Sequence, residues 1–344
     1  MTKNIIGVLG DLHFKDNLSY ADYIEDRRVG EKKEILDFIV NKFSDCGHIV
    51  FMGDNFNSKN NSSSTNRAFV EFLERFSDKQ IYIIGGNHEK KGDGTTAIDF
   101  LAEVKKDNWH IYTKLPPRQG TVDVGGLKVR FLPYILNSEL GCENSKASTK
   151  KIMANLDGGD ILFAHHCISG TFFNGVKTED LSEVVLPQKE LEEKYGLIVA
   201  GHIHKAQDYG KVIITGNVFT TEVGDKEKFI FKINSDLQVE KIKVPAREIH
   251  KIENPTTEQL SSIPKDAIVK VIITNKTIDP EEMKQKLSRF DASLLIEDYP
   301  NERKKMHIEE GAIDFSIEAL LEMYAKDRGV DYQKLLKGLS IING

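Results

Sequence analysis

Five short apolar runs, each breaking off into a carboxylate, an asparagine or a histidine, constrain this chain more than any other feature. "NIIGVLG" runs into Asp11 and His13, "HIVFMG" into Asp54, and "QIYIIGG" into Asn87 and His88. "ILFA" runs into His165 and His166, and "LIVAG" into His202 and His204. The runs are short and rich in β-branched residues, as strands buried on both faces are. Open α/β sheets gather their functional groups at the carboxyl ends of their strands. Six of the ten histidines stand at these positions, so the pattern predicts one polar rim.

The rest of the chain supports an α/β fold class. "LKVRFLPY", "VIITG" and "KFIFKI" read as further strands. "EKKEILDFIVNKF" sets Ile35, Leu36, Phe38, Ile39 and Phe43 on one helical stripe, and "NRAFVEFLERF" does so with Phe69, Val70, Phe72, Leu73 and Phe76. "TTAIDFLAEVKK" and "PQKELEEKYG" add two helices, the second with Pro187 at N1 and Gly196 as the C-terminal cap. From about residue 205 strands follow one another directly, which predicts antiparallel pairing there. "NSKNNSSSTN" (57–66) reads as an exposed loop, and "HKIENPTTEQLSSIPKDA" as a linker or edge segment. A small β-α-β unit follows, with Asp279 capping a helix that has Pro280 at N1. Two helical stretches capped by Ser316 and Asp331 end the chain. The expected boundaries are 1–248, 249–310 and 311–344.

Composition excludes little beyond this. A length of 344 residues suits one large domain and a smaller one. No apolar stretch approaches the ~20 residues of a membrane span, so no membrane association is expected. The N-terminus turns acidic too soon for a signal peptide. Three scattered cysteines form neither a disulfide framework nor a CxxC site, and the expected setting is reducing and cytoplasmic. The net charge of -6 does not speak for or against nucleic acid, because two bound divalent cations would reverse its sign locally.

Taken singly, each polar position has an ordinary reading. Asp11 suits a turn or cap, His13 and His165 suit satisfied core histidines, and Asp54 and Asn87 follow glycines as turn residues do. "GHIH" is harder to explain by packing. His48, His110, His250 and His307 stand outside the pattern, Cys167 reads as a buried hydrophobe, and His166 is ambiguous beside His165. Together the five coincidences point to one centre. Oxygen and imidazole donors without thiolate suit manganese, iron or zinc. Two such ions about 3.5–4 Å apart form a hydrolytic site.

The motifs D-x-H (Asp11, His13), G-D (Gly53, Asp54), G-N-H-E (Gly86 to Glu89), His165 and G-H-x-H (Gly201 to His204) resemble the calcineurin-like metallophosphoesterases. The resemblance implies a two-sheet sandwich flanked by helices. It implies one metal held by Asp11, His13, Asp54 and His204, and a second held by Asp54, Asn87, His165 and His202. His88 would then be the catalytic acid at the leaving oxygen, with Glu89 orienting it or its loop.

Within that family the chain is most similar to SbcD-type nuclease subunits of DNA double-strand-break repair. "YADYIEDRRVGEKKEILDFIV" resembles their arginine-bearing loop and helix, and "VIITGNVFTTEVGDKEKFIFKI" their passage after G-H-x-H. The β-α-β unit resembles their DNA-capping region, and the final helices their ATPase-docking end. This similarity implies DNA as substrate, two divalent ions with manganese expected, homodimerisation, and a coiled-coil ABC-type ATPase partner of the SbcC kind. The chain has no G-x-x-x-x-G-K-[ST] of its own, so ATP dependence would come from that partner. Arg27, Arg28, Lys90, Lys91 and the "SKASTKK" segment are the candidate DNA contacts. Asn57 stands where many nuclease relatives carry His or Asp. The alternative is a stand-alone phosphodiesterase or phosphatase of small phosphoesters. "GDNFNSK" and "GGNHE" lack the arginines of Ser/Thr phosphatases, and a decayed scaffold would not keep every donor.

Overall fold

Each of the five apolar runs is a strand, and alternation along it feeds two cores at once. In Ile6–Leu9, His48–Phe51 and Gln80–Ile84, the side chains of Ile6, Val8, Val50, Tyr82 and Ile84 point into one cluster. Leu9, Ile49, Phe51, Ile81 and Ile83 point into another. In Gly159–Ala164 and Tyr195–Ala200, Ile161, Phe163, Leu197 and Val199 join the first cluster, whereas Leu162, Ala164, Ile198 and Ala200 join a third. That is why these strands read as continuous apolar runs and not as alternating ones.

The computed structural model describes residues 4–20, 28–104, 106–115, 120–222, 224–225, 227–275, 277–296, 325 and 331–333. The chain divides into two compact units, Met1–Leu295 and Ile296–Gly344. Arg27, residues 297–324 and most of the two C-terminal helical stretches lie outside the described residues.

The first sheet runs in the order 239–244, 228–233, 6–9, 48–51, 80–84, 109–112. Its last four strands are parallel and its first two antiparallel to their neighbours. The second sheet runs 207–208, 212–214, 195–200, 159–164, 127–132, 122–124, with parallel pairing among its four central strands. The shared cluster lies between the two sheets. Helices Val29–Lys42 and Ser63–Glu74 cover the outer face of the first sheet, and Ser145–Asn155 and Gln188–Lys194 that of the second. The result is an α/β sandwich of two mixed sheets between helical layers, as the resemblance implied. Parallel pairing carries the ends of 6–9, 48–51 and 80–84 to one edge, and those of 159–164 and 195–200 likewise.

A third sheet holds strands Ile249–Glu253, Ile268–Ile273 and Asp291–Ile296. It has its own core, with Leu260, Val269, Val271, Met283 and Leu287. Asp279 caps Pro280–Leu287 by accepting from Glu281 N at 2.9 Å, as expected.

Local structure departs from the sequence reading in several places. The stretch expected as a linker or edge segment is no plain linker: it holds a strand, Ile249–Glu253, at the edge of the third sheet, and a helix, Thr257–Ser261, opened by a Thr256–Gln259 capping box. The polar run at 57–66 is not all loop, because Ser62 accepts from Thr65 N at 3.0 Å and starts the helix. The helix expected over 95–106 shrinks to Phe100–Glu103. Gly196 lies within strand Tyr195–Ala200, Tyr195 caps the preceding helix, and Pro187 is its N-cap. A hairpin, Phe172–Phe173 with Val176–Lys177, was not expected, although its Asn174-Gly175 turn is the strongest short hairpin signal. Among the described residues no helix is long and apolar enough to cross a membrane.

The inter-sheet core makes a stability prediction. Phe163 is fully buried and stacks on Phe131 with centroids 5.6 Å apart. Phe163→Ala should cost about 3–5 kcal/mol, measured as a lower denaturant midpoint at unchanged slope.

Candidate metal centre

The chain reaches the rim through strained and crowded turns. His13 (φ 45), Asp54 (φ 43) and His202 (φ 80) all have left-handed backbones. Such conformations cost about 1–3 kcal/mol each in a non-glycine residue and collect at functional sites. Two glycines are required by close approach. A Cβ on Gly53 would lie 2.2 Å from His165 Nδ1, and one on Gly86 would lie 2.1 Å from Asp54 N. The backbone amides then fix the carboxylates. His202 N donates to Asp11 Oδ2 at 2.9 Å, and His88 N donates to Asp54 Oδ1 at 2.8 Å.

Among the described residues four groups have donor atoms within 4.8 Å of one another: Asp11–His13–His204 and Asp54–His165–His202, made of expected ligands, and His13–Asp54–His88 and Cys167–Glu183–His202. Asp54 lies between the first two, with Oδ2 3.4 Å from His165 Nε2 and 3.8 Å from His13 Nε2. Asn87 Oδ1 stands 3.0 Å from His165 Nε2 and 2.8 Å from His202 Nδ1. All seven expected donors are therefore together.

The outer partners of the imidazoles decide which way their lone pairs point. His165 Nδ1 lies 2.8 Å from the Met52 carbonyl, which can only accept, so that nitrogen carries the hydrogen. His202 Nε2 lies 2.6 Å from the Glu183 carboxylate and His204 Nδ1 2.8 Å from the Glu222 carboxylate. In their neutral forms all three rings turn a lone pair inward. There His204 Nε2 meets His13 Nε2 at 2.9 Å, and the other two meet the Asn87 oxygen. A hydrogen on His13 Nε2 settles the first contact, but imidazole lone pairs facing the Asn87 oxygen are stable only around shared protons or cations. An oxygen and imidazole set of this kind fits divalent transition ions, with each ring oriented from behind as metal-binding histidines are.

Burial and mutual contacts set the protonation of the donors. Burial pushes Asp11 up to about 7 against the pull of His165. Burial also opposes the charge on Asp54, but His165 beside it holds that carboxyl below the usual range. Burial drives His13 down to about 3. Burial works against the imidazolium of His165 too, yet Asp54 and Asp11 raise it to about 9. His202 rises to about 9 in spite of burial, through its contacts with Cys167 and Glu183.

Other expected site residues fared unevenly. His88 is exposed, its ring 4.6 Å from that of His13 and its Nδ1 3.2 Å from the Asn57 carbonyl. Glu89 is buried and staples two loops, accepting from Gly86 N at 2.8 Å and Phe56 N at 2.9 Å. Arg28 is not available to DNA: it is 1 % exposed, paired with Glu31 at 2.6 Å and bonded to Thr220 Oγ1 at 2.7 Å. Lys90 is likewise withdrawn, buried between Glu139 at 2.9 Å and the Thr113 carbonyl at 2.8 Å. The reason is the same in both cases, since a charge drawn below the surface must be paired. Lys91 and the Asn57 side chain are exposed. "SKASTKK" opens the helix Ser145–Asn155. His166 is buried outside both groups, stacked on Tyr134 at 5.2 Å. Cys167 is buried as expected, but it also sits beside Glu183 and His202.

Glu183 and Glu222 were missed by the sequence reading. Both lie in irregular segments, Glu222 within the passage after G-H-x-H, and only the rule that ligating imidazoles need an outer acceptor implies that such residues exist.

Two predictions follow from this geometry. Glu183→Gln should weaken metal binding about 10–100-fold, measured by competition with a chelating dye. His165 and His202, raised to about 9, are protonated in the metal-free protein at neutral pH and must lose those protons to coordinate. Metal binding should therefore release protons and tighten as pH rises towards 9. Calorimetry in buffers of different ionisation enthalpy checks this, and buffer-independent heats would contradict it.

A family model of calcineurin-like phosphoesterases matches residues 5–206, a span that contains all seven donors and His88. No curated protein matches the chain significantly. The matched span is more than half of the chain and carries the complete donor set. On that ground the chain belongs to the calcineurin-like phosphoesterases, a family of metal-dependent phosphoester hydrolases.

Proposed function

We propose that this protein is a DNA nuclease subunit that hydrolyses phosphodiester bonds with two divalent cations, manganese being the expected ion. The observation that carries the reading is the meeting of the two donor groups at Asp54, with His88 exposed beside them. Asp11, His13, Asp54 and His204 would hold one cation, and Asp54, Asn87, His165 and His202 the other. Bound there, the pair supplies Lewis acidity, neutralising phosphate charge and lowering the pKa of water.

The protein's own groups do the rest. Glu183, Glu222 and the Met52 carbonyl keep the imidazole lone pairs turned inward. Glu89 fastens the loop of Asn87 and His88 to the loop of Asp54 through the Gly86 and Phe56 amides. The Asn57 carbonyl accepts from His88 Nδ1 and leaves Nε2 for the departing oxygen, to which the ring gives a proton from its doubly protonated imidazolium form.

DNA is favoured by the third sheet, with its separate core, because hydrolysis of a small phosphoester has no use for such an addition. On this reading residues 249–310 cap the DNA, and residues 311–344 dock an SbcC-like coiled-coil ABC-type ATPase. The subunit works as a homodimer in the cytoplasm. The second reading, a stand-alone phosphodiesterase of small substrates, gains from the burial of Arg28 and Lys90. Their withdrawal leaves Lys91 as the exposed member of the described basic candidates outside the helix Ser145–Asn155.

His88→Ala should lower manganese-dependent cleavage of DNA about 10²–10⁴-fold while the bound metal, counted by elemental analysis, stays the same. Loss of metal with loss of activity would instead make His88 a ligand. If the wild-type protein, supplied with manganese and its ATPase, hydrolyses bis-p-nitrophenyl phosphate but no DNA, the second reading replaces the first.

A further inference from the structure

Glu222, the carboxylate behind His204 Nδ1, lies in an irregular segment and needs something to hold it there. Asp225 supplies the hold. Its Oδ2 accepts from Thr221 N at 2.8 Å and from Glu222 N at 3.0 Å, and its amide donates to Glu222 O at 3.1 Å. Its Oδ1 pairs with Lys228 Nζ at 2.7 Å. Lys228 is 3 % exposed, and a charge so far from water persists only when paired. Its ammonium also donates to Asn217 Oδ1. Asn217 carries the network back to the metal centre. Its Nδ2 donates to Thr221 Oγ1 at 2.7 Å and its amide to the His204 carbonyl at 3.1 Å, while Val218 N donates to Asp11 O at 3.0 Å.

Asp225 has a second set of partners in the third sheet. Gly224 N donates to Ile249 O and Ile249 N donates to Asp225 O, both at 2.9 Å. Ile249 opens the edge strand Ile249–Glu253, and its side chain is buried. One residue therefore meets the third sheet through its backbone and the segment of Glu222 through its carboxylate. An ion pair that served stability alone could sit anywhere in the fold. This one ends on both the ring and the carbonyl of a metal donor, and buried polar networks stiffen what they join.

We propose that Asp225 is a positioning residue for the cation of Asp11, His13, Asp54 and His204. It holds Glu222 against His204 Nδ1, and so ties the affinity of that cation to the placement of the third sheet. The inference rests on the two-cation reading of the centre and not on the choice of substrate. Glu222 fixes the hydrogen of His204 on Nδ1 and leaves the Nε2 lone pair for the metal. Without Asp225 the carboxylate is free to swing away, and the ring can place its hydrogen on either nitrogen. The cation of Asn87, His165 and His202 has other outer partners, Glu183 and the Met52 carbonyl, and is untouched. The coupling runs both ways: a cation that binds better when the link is closed must itself close the link.

The test is a manganese titration of the full chain against a chelating dye, resolving the two cations. Asp225→Ala should weaken one of them about 10–100-fold, as loss of an outer partner does, and leave the other unchanged. The double variant Asp225→Ala with Glu222→Gln should bind no more weakly than Glu222→Gln alone, because residues of one network do not add. Asp225→Asn, which keeps an oxygen for both amides, should bind as wild type does. In chelator, nitrogen NMR of the imidazoles should show His204 with its hydrogen on Nδ1 in wild type and shared between both nitrogens in Asp225→Ala. Manganese should also slow hydrogen exchange at the Gly224 and Ile249 amides of the wild-type chain, a measurement that needs no variant to fold. If Asp225→Ala weakens both cations equally, or the double variant is weaker than Glu222→Gln, Asp225 serves stability alone and the positioning role is overturned. Unchanged affinities, or exchange at Gly224 and Ile249 indifferent to manganese, overturn it as well, and the two-cation reading stands. If wild type binds no manganese, that reading fails and takes the role of Asp225 with it.

Discussion

Asp54 is the residue on which the arrangement depends. Its carboxylate is the point at which the two donor groups meet, 3.4 Å from His165 and 3.8 Å from His13. It has little freedom to be elsewhere. The His88 amide bonds one oxygen, Gly86 presses against its backbone, and its own φ is positive. A larger residue at Gly86 would put its Cβ 2.1 Å from Asp54 N and Oδ1, so the carboxylate would have to move. The glycines of the motifs thus serve the carboxylate first and the turns second.

Around that point the sandwich works as a holder with two jaws. The first sheet supplies Asp11, His13, Asp54 and Asn87, and the second supplies His165, His202 and His204. The two groups made of the expected ligands both draw on the two sheets, since Asp11 and His13 meet His204 while His165 and His202 meet Asp54. The inter-sheet core of Val50, Phe131, Phe163 and Val199 therefore does more than stabilise the fold. It sets the separation of the jaws. The outer acceptors Glu183, Glu222 and Met52 O then set ring orientation within each jaw.

Much of this was legible in the chain. The five apolar runs announced their strands because burial on both faces removes polar residues from them, and the donors announced themselves by standing at strand ends. What the pattern could not give was anything decided by distant contacts. Arg28 and Lys90 look like surface cations, and only the approach of Glu31, Thr220 and Glu139 in the fold turns them inward. Glu183 and Glu222 look like ordinary loop acids until His202 and His204 arrive beside them. The helix end expected at Gly196 shifted because the next strand claimed Tyr195. Tertiary pairing outweighed the local capping preference there.

Anomalous diffraction from crystals grown with manganese tests most directly whether two cations share the Asp54 carboxylate, as we propose. Two peaks about 3.5–4 Å apart, one against Asp11, His13 and His204, the other against Asn87, His165 and His202, with Asp54 touching both, are the predicted result. A single peak away from Asp54, or none among these seven residues, would contradict it.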